Sequence, residues 1–267
     1  MSETGMKLIG IGREAEVYAR SETECVKLFY MGFAENQVRS EAERMKFVSE
    51  SGVPSPKYFS MEKIGGRYAI RMERLDGLTL LHHAIESFDS KIDYGELLGS
   101  VQRDYHRVCA VGLCDMTETL RWQILSGDGL DESEKNEMLR RLEKMPRGDR
   151  LVHMDYHSDN VMLTKDGVKI IDWSGACAGN PYADAARTLL TMQNKSYPAD
   201  ADDNEELKKW LDETREICRL GYLRGYGAPE NEIAKWTPII AAARLSCCPA
   251  GERGQNIKRA RDYLEKA

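Results

Sequence analysis

The chain opens on short runs in which β-branched and aromatic residues recur. Residues 7–12, 16–20 and 25–30 each read as a strand. The period then changes. Val38, Ala42, Met45 and Val48 recur at helical spacing, which predicts a helix over about 34–50 that Gly52 and Pro54 end. Two further strands fit 57–64 and 68–72, with Gly65-Gly66 as their hairpin turn. Beyond Gly77 helical patterns dominate, over about 79–87, 93–110, 117–126 and 132–145, and again from about 181 onward. A single strand-turn-strand unit, 151–172, interrupts them. The pattern therefore predicts a strand-rich N-terminal lobe over 1–75 and a larger, mostly helical lobe over 76–267, joined near Glu73-Arg74-Leu75-Asp76-Gly77.

Composition narrows the class. A chain of 267 residues, 42% hydrophobic, is long enough to bury a real core as one large domain or two lobes. It has no apolar run long enough for a membrane span, and its polar first residues lack the apolar centre of a signal peptide. The 7 cysteines include no Cys-x-x-Cys pair, so neither a disulfide framework nor a zinc knuckle is expected. Reduced thiols in a cytoplasmic protein are the simplest account. The net charge of −6 is uneven: residues 1–75 carry 12 Lys and Arg against 11 Asp and Glu, so the acidic excess lies in 76–267. Such a surface repels phosphate backbones, which argues against nucleic acid as a partner. It suits a cationic small substrate, or serves solubility alone.

The chemistry concentrates in His153-Met154-Asp155-Tyr156-His157-Ser158-Asp159-Asn160 and, after the apolar strand Val161-Met162-Leu163 and a turn at Asp166-Gly167, in Ile170-Ile171-Asp172-Trp173. The hairpin folds Asp172 back towards Asn160, bringing a carboxylate beside a carboxamide, with Asp155 close by. Such hard oxygen donors suit Mg²⁺, which accepts few protein ligands and keeps several waters. Asp166-Gly167 is read as turn chemistry only. Lys27 lies in an apolar strand, where an ammonium needs an anion. On the following helix Glu41 shares the apolar face of Val38 and Met45, whereas Glu43 points well away from it.

His-x-Asp-x-His-x-x-Asn followed by Ile-Ile-Asp-Trp resembles the catalytic and metal loops of aminoglycoside phosphotransferase-like and choline-kinase-like enzymes. The resemblance runs from Ile9 to about Leu190. It implies a bilobal α+β, protein-kinase-like fold and transfer of the γ-phosphoryl group of ATP or GTP to a hydroxyl. Asp155 is then the base or orienting residue, Asn160 and Asp172 hold Mg²⁺, and Lys27, supported by Glu41, contacts the α- and β-phosphates. The Gly10-Ile11-Gly12 turn takes the place of a nucleotide-covering loop, although it lacks a full GxGxxG. Glu73 and Leu75 take the place of the hinge that pairs with the purine. His153 is expected to buttress the loop, and Asp184 to support it from the start of a helix. His157 is placed where it approaches the phosphates; a His153/His157 metal pair is rejected, because that spacing needs a helix.

Aminoglycosides lead among acceptors, with amino alcohols and sugars as alternatives. A non-catalytic nucleotide-binding module is a rival, but none of the residues it would dispense with is missing. A protein kinase is another, opposed by the lack of an Ala-Pro-Glu segment after Asp172 and the short step from Asp172 to Asp184. The acidic run 200–206 reads as a solvated helix start or as the lining of a pocket for a polycation. Trp173 and Trp210 are read as core in preference to a sugar or ammonium platform. Met138, Met145 and Met192 are read as packing, and Cys247-Cys248 as buried small residues.

Overall fold

The computed structural model describes residues 5–87, 89, 92–193 and 203–266. Contacts divide the chain into two units, Met1–Ser87 with Ser158–Gly175, and Phe88–His157 with Ala176–Ala267. The sequence reading had divided it at 75/76. In the contact grouping residues 158–175 go with the N-terminal strands, because the pairing that holds them is non-local.

The first unit is built on an antiparallel sheet in the order β1-β2-β3-β5-β4. Its strands are β1 (Lys7–Ile11), β2 (Ala15–Ala19), β3 (Glu24–Phe29), β4 (Tyr58–Ile64) and β5 (Arg67–Glu73), and helix α1 (Glu35–Glu50) lies between β3 and β4 in sequence. Side chains alternate along β3. Phe29 packs with Ala15, Ile70 and the α1 residues Val38, Ala42 and Met45. Val26 and Leu28 pack on the opposite face with Tyr18 and Ala69. Lys27 has the parity of Phe29 and so faces α1.

A second sheet, β6-β8-β9, completes this unit from β6 (Gly77–Thr79), β8 (Val161–Thr164) and β9 (Gly167–Ile170). The sequence pattern did not show β6, whose partner β8 lies far along the chain. Gly77 is required there, since a Cβ would overlap the Leu163 carbonyl oxygen. Helix α2 (Leu80–Glu86) follows, its first turn capped by Thr79, which accepts from the His82 N–H.

The second unit contains α3 (Tyr94–Tyr105), α4 (Met116–Ser126), α5 (Glu132–Glu143), β7 (Arg150–Val152), β10 (Cys177–Gly179), α6 (Pro181–Gln193), α7 (Glu205–Tyr226), α8 (Glu230–Ala234), α9 (Thr237–Arg244) and α10 (Ala250–Leu264). Helix α3 stops at Tyr105, short of the expected 110. The Ala110 N–H donates to Asp149 O at 2.7 Å and the Leu151 N–H to Val108 O at 2.9 Å, so 108–110 pair with the β7 segment instead of continuing the helix. Strand β10, which pairs with β7, was also not anticipated. Helices α3 and α7 approach so closely that a Cβ on Gly99 would overlap the Tyr222 carbonyl oxygen, and one on Gly225 that of Glu96.

Several smaller expectations meet the structure here. Asn204 caps α7 by accepting from the Leu207 N–H at 3.0 Å, and residues 200–202 of the acidic run lie outside the described residues. Trp173 is buried, its Nε1–H donating to Ile170 O at 3.0 Å, and Trp210 is half-buried. Met138 is fully buried, while Met145 and Met192 are half-buried. Cys248 is buried, but Cys247 is exposed, which corrects the reading of both as buried.

Candidate active site

In the first unit the Lys27 Nζ lies 2.6 Å from Glu41 Oε1 and 3.6 Å from Asp172 Oδ1. The sequence reading of the α1 face therefore agrees with the structure, since Glu41 is 6% exposed while Glu43 points to solvent. Burial on its own would lower the Lys27 pKa. Asp172 and then Glu41 more than offset this, so the ammonium is held above its ordinary range. Burial also lifts the Glu41 carboxyl against the pull of Lys27, and Asp172 and Glu14 add to the lift.

Strand pairing sets Val161 opposite Ile170, and the Ile171 N–H donates to the Asn160 carbonyl at 2.9 Å. Asn160 and Asp172 therefore sit at the same end of the hairpin, away from the turn at Gly167. Asn160 is mostly buried in a short 3₁₀ turn, Ser158–Asn160. Asp172 has a left-handed backbone, φ 58°, rare for a non-glycine residue and characteristic of strained functional positions. Next to it, the Ser174 carbonyl accepts from Arg44 Nη1 at 2.8 Å, which ties the segment to α1.

Among the described residues no three His, Cys, Asp or Glu side chains gather as a metal cage. The donor set nevertheless fits Mg²⁺, which takes one or two carboxylates and fills its remaining positions with substrate phosphate and water.

The remaining expected residues of this unit have other engagements. The Gly12 N–H donates to Ala15 O at 2.8 Å within the β1–β2 turn, and the Gly12 carbonyl accepts from the hydroxyl of Tyr30, just after β3, at 3.1 Å, so both backbone groups of Gly12 are engaged. Glu73 ends β5. Its carboxylate accepts from the Lys57 N–H at 3.0 Å and its carbonyl faces the Cys25 thiol at 3.6 Å. Leu75 lies just beyond that strand.

In the second unit, residues 153–156 are held mainly from α6. Asp184, wholly buried, accepts from the backbone N–H groups of His153 at 2.9 Å and Met154 at 2.7 Å. The same carboxylate accepts from Gln102 at 3.1 Å, the Tyr105 hydroxyl at 2.7 Å and the His106 ring at 3.0 Å. Burial would raise its pKa, but His106, followed by His153, reverses this and holds the carboxyl well below the usual carboxylate range. Burial also pushes the Tyr105 and Tyr156 hydroxyls well above theirs.

Met154 is left-handed, φ 63°. The Asp155 N–H donates to His153 Nδ1 at 3.2 Å, the buttress expected of that histidine. The Thr188 hydroxyl donates to Tyr156 O at 3.0 Å, and the Tyr156 hydroxyl to Leu98 O at 3.0 Å. The Asp155 carboxylate is half-exposed, with Oδ1 3.5 Å from Arg187 Nη2 and Oδ2 3.9 Å from His157 Nε2. The sequence reading missed Gln102, Tyr105, His106 and Arg187. Their signal was present: polar residues at positions i, i+3 and i+4 of one helix face, and an arginine inside an alanine-rich run.

The sequence profile of the phosphotransferase enzyme family matches residues 5–236. The chain belongs to that family.

No curated protein sequence matches it, and its structural likenesses are at low identity. An aminoglycoside-3'-phosphotransferase of type VIII shares 18% identity at a TM-score of 0.60, with 90% of this chain and 94% of the other covered. An aminoglycoside phosphotransferase from Streptomyces rimosus, in complex with ADP and streptomycin, shares 16% at 0.56, covering 92% and 94%. A choline/ethanolamine kinase family protein from Mesorhizobium loti shares 14% at 0.57, covering 97% and 88%. The phosphotransferase therefore has the protein-kinase-like α+β fold of these enzymes.

Within the phosphotransferase, the Lys27 pair gives a specific expectation. Glu41→Ala takes one of the two carboxylates from beside the largely buried Lys27 ammonium, so turnover should fall by more than about tenfold, since a small misplacement of a positioned group is costly. Glu43→Ala should stay close to wild type. Steady-state kinetics of the two variants decide it, and the reverse order would mean that the other helix face matters.

Proposed function

We propose that this phosphotransferase is a small-molecule kinase that moves the γ-phosphoryl group of ATP or GTP to a hydroxyl of a small, cationic acceptor. The observation that carries the reading is the Lys27–Glu41–Asp172 cluster, with Asn160 at the same hairpin end. A largely buried ammonium beside two carboxylates is a phosphate- and cation-handling set, and the five-residue step from Asp155 to Asn160 couples the hairpin end in sequence to a half-exposed carboxylate. The solved relative that holds ADP and streptomycin supports a nucleotide and an amino-sugar acceptor. The choline/ethanolamine kinase relative keeps an amino alcohol as the second reading. The acidic excess of residues 76–267 favours a cation in either case.

In this reading Asp155 accepts or orients the proton of the acceptor hydroxyl. Lys27 binds the α- and β-phosphates and is itself held in place by Glu41. Asn160 and Asp172 would hold Mg²⁺, which would supply charge neutralisation to the phosphates. Transfer passes through a loose transition state, so positioning and charge neutralisation matter more than covalent chemistry. Among the described residues no helix is long and apolar enough to cross a membrane.

The test is a panel of aminoglycosides, amino alcohols and sugars with ATP or GTP, read as nucleoside diphosphate release. An aminoglycoside or amino alcohol should give the highest turnover. Mg²⁺ should tighten nucleotide binding to wild type but not to Asp172→Ala; equal affinities with and without the ion would remove Asp172 from the metal site. A panel in which only neutral sugars react would overturn the cationic acceptor.

A further inference from the structure

Helix α6 carries one arginine in a run of small and apolar residues. Ala183, Ala185, Ala186, Leu189 and Leu190 are buried, and so is Arg187, whose side chain is 7% exposed. A guanidinium does not lose its proton in a protein, so burial cannot be relieved by neutralisation. Its Nε and Nη1 are buried without a hydrogen-bond partner among the described residues. Such unsatisfied donors are costly and call for an explanation. Among the described residues, the carboxylate within ion-pair distance is Asp155, with Oδ1 3.5 Å from Nη2.

The register of α6 gives this pair its meaning. Positions 184, 187 and 188 fall on one helix face at i, i+3 and i+4. Asp184 takes the backbone N–H groups of His153 and Met154, Arg187 meets the side chain of Asp155, and Thr188 donates to the carbonyl of Tyr156. Consecutive loop residues are thus gripped by consecutive contacts from one helix face, and Arg187 supplies the grip on the one side chain assigned to chemistry. Its contact is with Oδ1, whereas Oδ2 lies towards His157 at 3.9 Å.

We propose that Arg187 is a positioning residue for Asp155, holding carboxylate Oδ1 from within α6 so that Oδ2 is turned to the acceptor hydroxyl. The inference rests on the reading of Asp155 as the base or orienting group. Because the transition state is loose, the arginine contributes through direction and charge balance, and a small misplacement of the carboxylate is costly.

The test uses Arg187→Met, which keeps bulk and removes charge, and Arg187→Lys, which restores a cation. Asp155→Asn and the double variant Asp155→Asn/Arg187→Met complete the set. Turnover is read with the best acceptor of the panel and with water as acceptor. Arg187→Met should lose about tenfold to a hundredfold in kcat with the nucleotide KM within about twofold. Its Tm should be unchanged or higher, because an apolar side chain of similar volume replaces a poorly paired buried charge. Arg187→Lys should recover most of the lost kcat. The double variant should be no slower than Asp155→Asn alone, since the arginine acts through that carboxylate.

Wild-type kcat in Arg187→Met, an additive loss in the double variant, or a loss in both Arg187 variants that tracks a fall in Tm would each overturn the proposal. Full turnover in Asp155→Asn would instead overturn the reading of Asp155, and with it this inference. A wild type that turns over with no acceptor, water included, would overturn both.

Discussion

Asp155→Asn is expected to lower kcat by about 10²–10⁴-fold, the range a positioned general base contributes. The carboxylate is half-exposed and its loop is held by backbone contacts to Asp184, so the substitution removes a proton acceptor without dismantling the fold. Nucleotide affinity should survive, because the residues assigned to the phosphates belong to the other unit. Turnover and nucleotide titration on the same preparation check both points. A loss of less than about tenfold would remove Asp155 from its role.

The second large effect is on stability. Asp184→Asn takes the charge from a wholly buried carboxylate on which Gln102, Tyr105, His106, His153 and Met154 converge as donors. Breaking such a buried charged network costs about 3–5 kcal/mol, read as a shift in the urea midpoint. The pH dependence has a definite sign. The folded carboxyl titrates well below its unfolded value, so the stabilisation it brings is complete above the unfolded pKa of about 3.9 and is lost as pH falls from there towards the folded value. The gap between wild type and Asp184→Asn should therefore close as pH falls below about 4. A gap that instead widened on acidification would contradict the buried charge.

Much of this was legible in the sequence because it rested on short-range regularities. The helical period separated Glu41 from Glu43. The Asp166-Gly167 turn set Asn160 and Asp172 at one end of a hairpin. What stayed hidden depends on partners distant in the chain. Strand β6 exists only through β8, α3 stops at Tyr105 only because 108–110 find the β7 segment, and the side-chain donors to Asp184 come from α3 and the residue after it, more than seventy residues away. Arg187 stood in plain view beside Asp184, but its meaning depends on a side-chain contact with Asp155 that no periodicity encodes. The glycine turn was read by position, and the Gly12 backbone turns out to be occupied by Ala15 within the turn and by the Tyr30 hydroxyl beyond β3.

The contact division has a consequence for how such an enzyme diversifies. Lys27, Glu41, Asn160 and Asp172 all belong to Met1–Ser87 with Ser158–Gly175, while Asp155 and helices α3 to α10 belong to the remainder. On the proposed function, mutations that retune the choice of acceptor can accumulate in the helical remainder without touching the residues assigned to the triphosphate. A lineage built this way can explore new acceptors while its currency of phosphate stays the same.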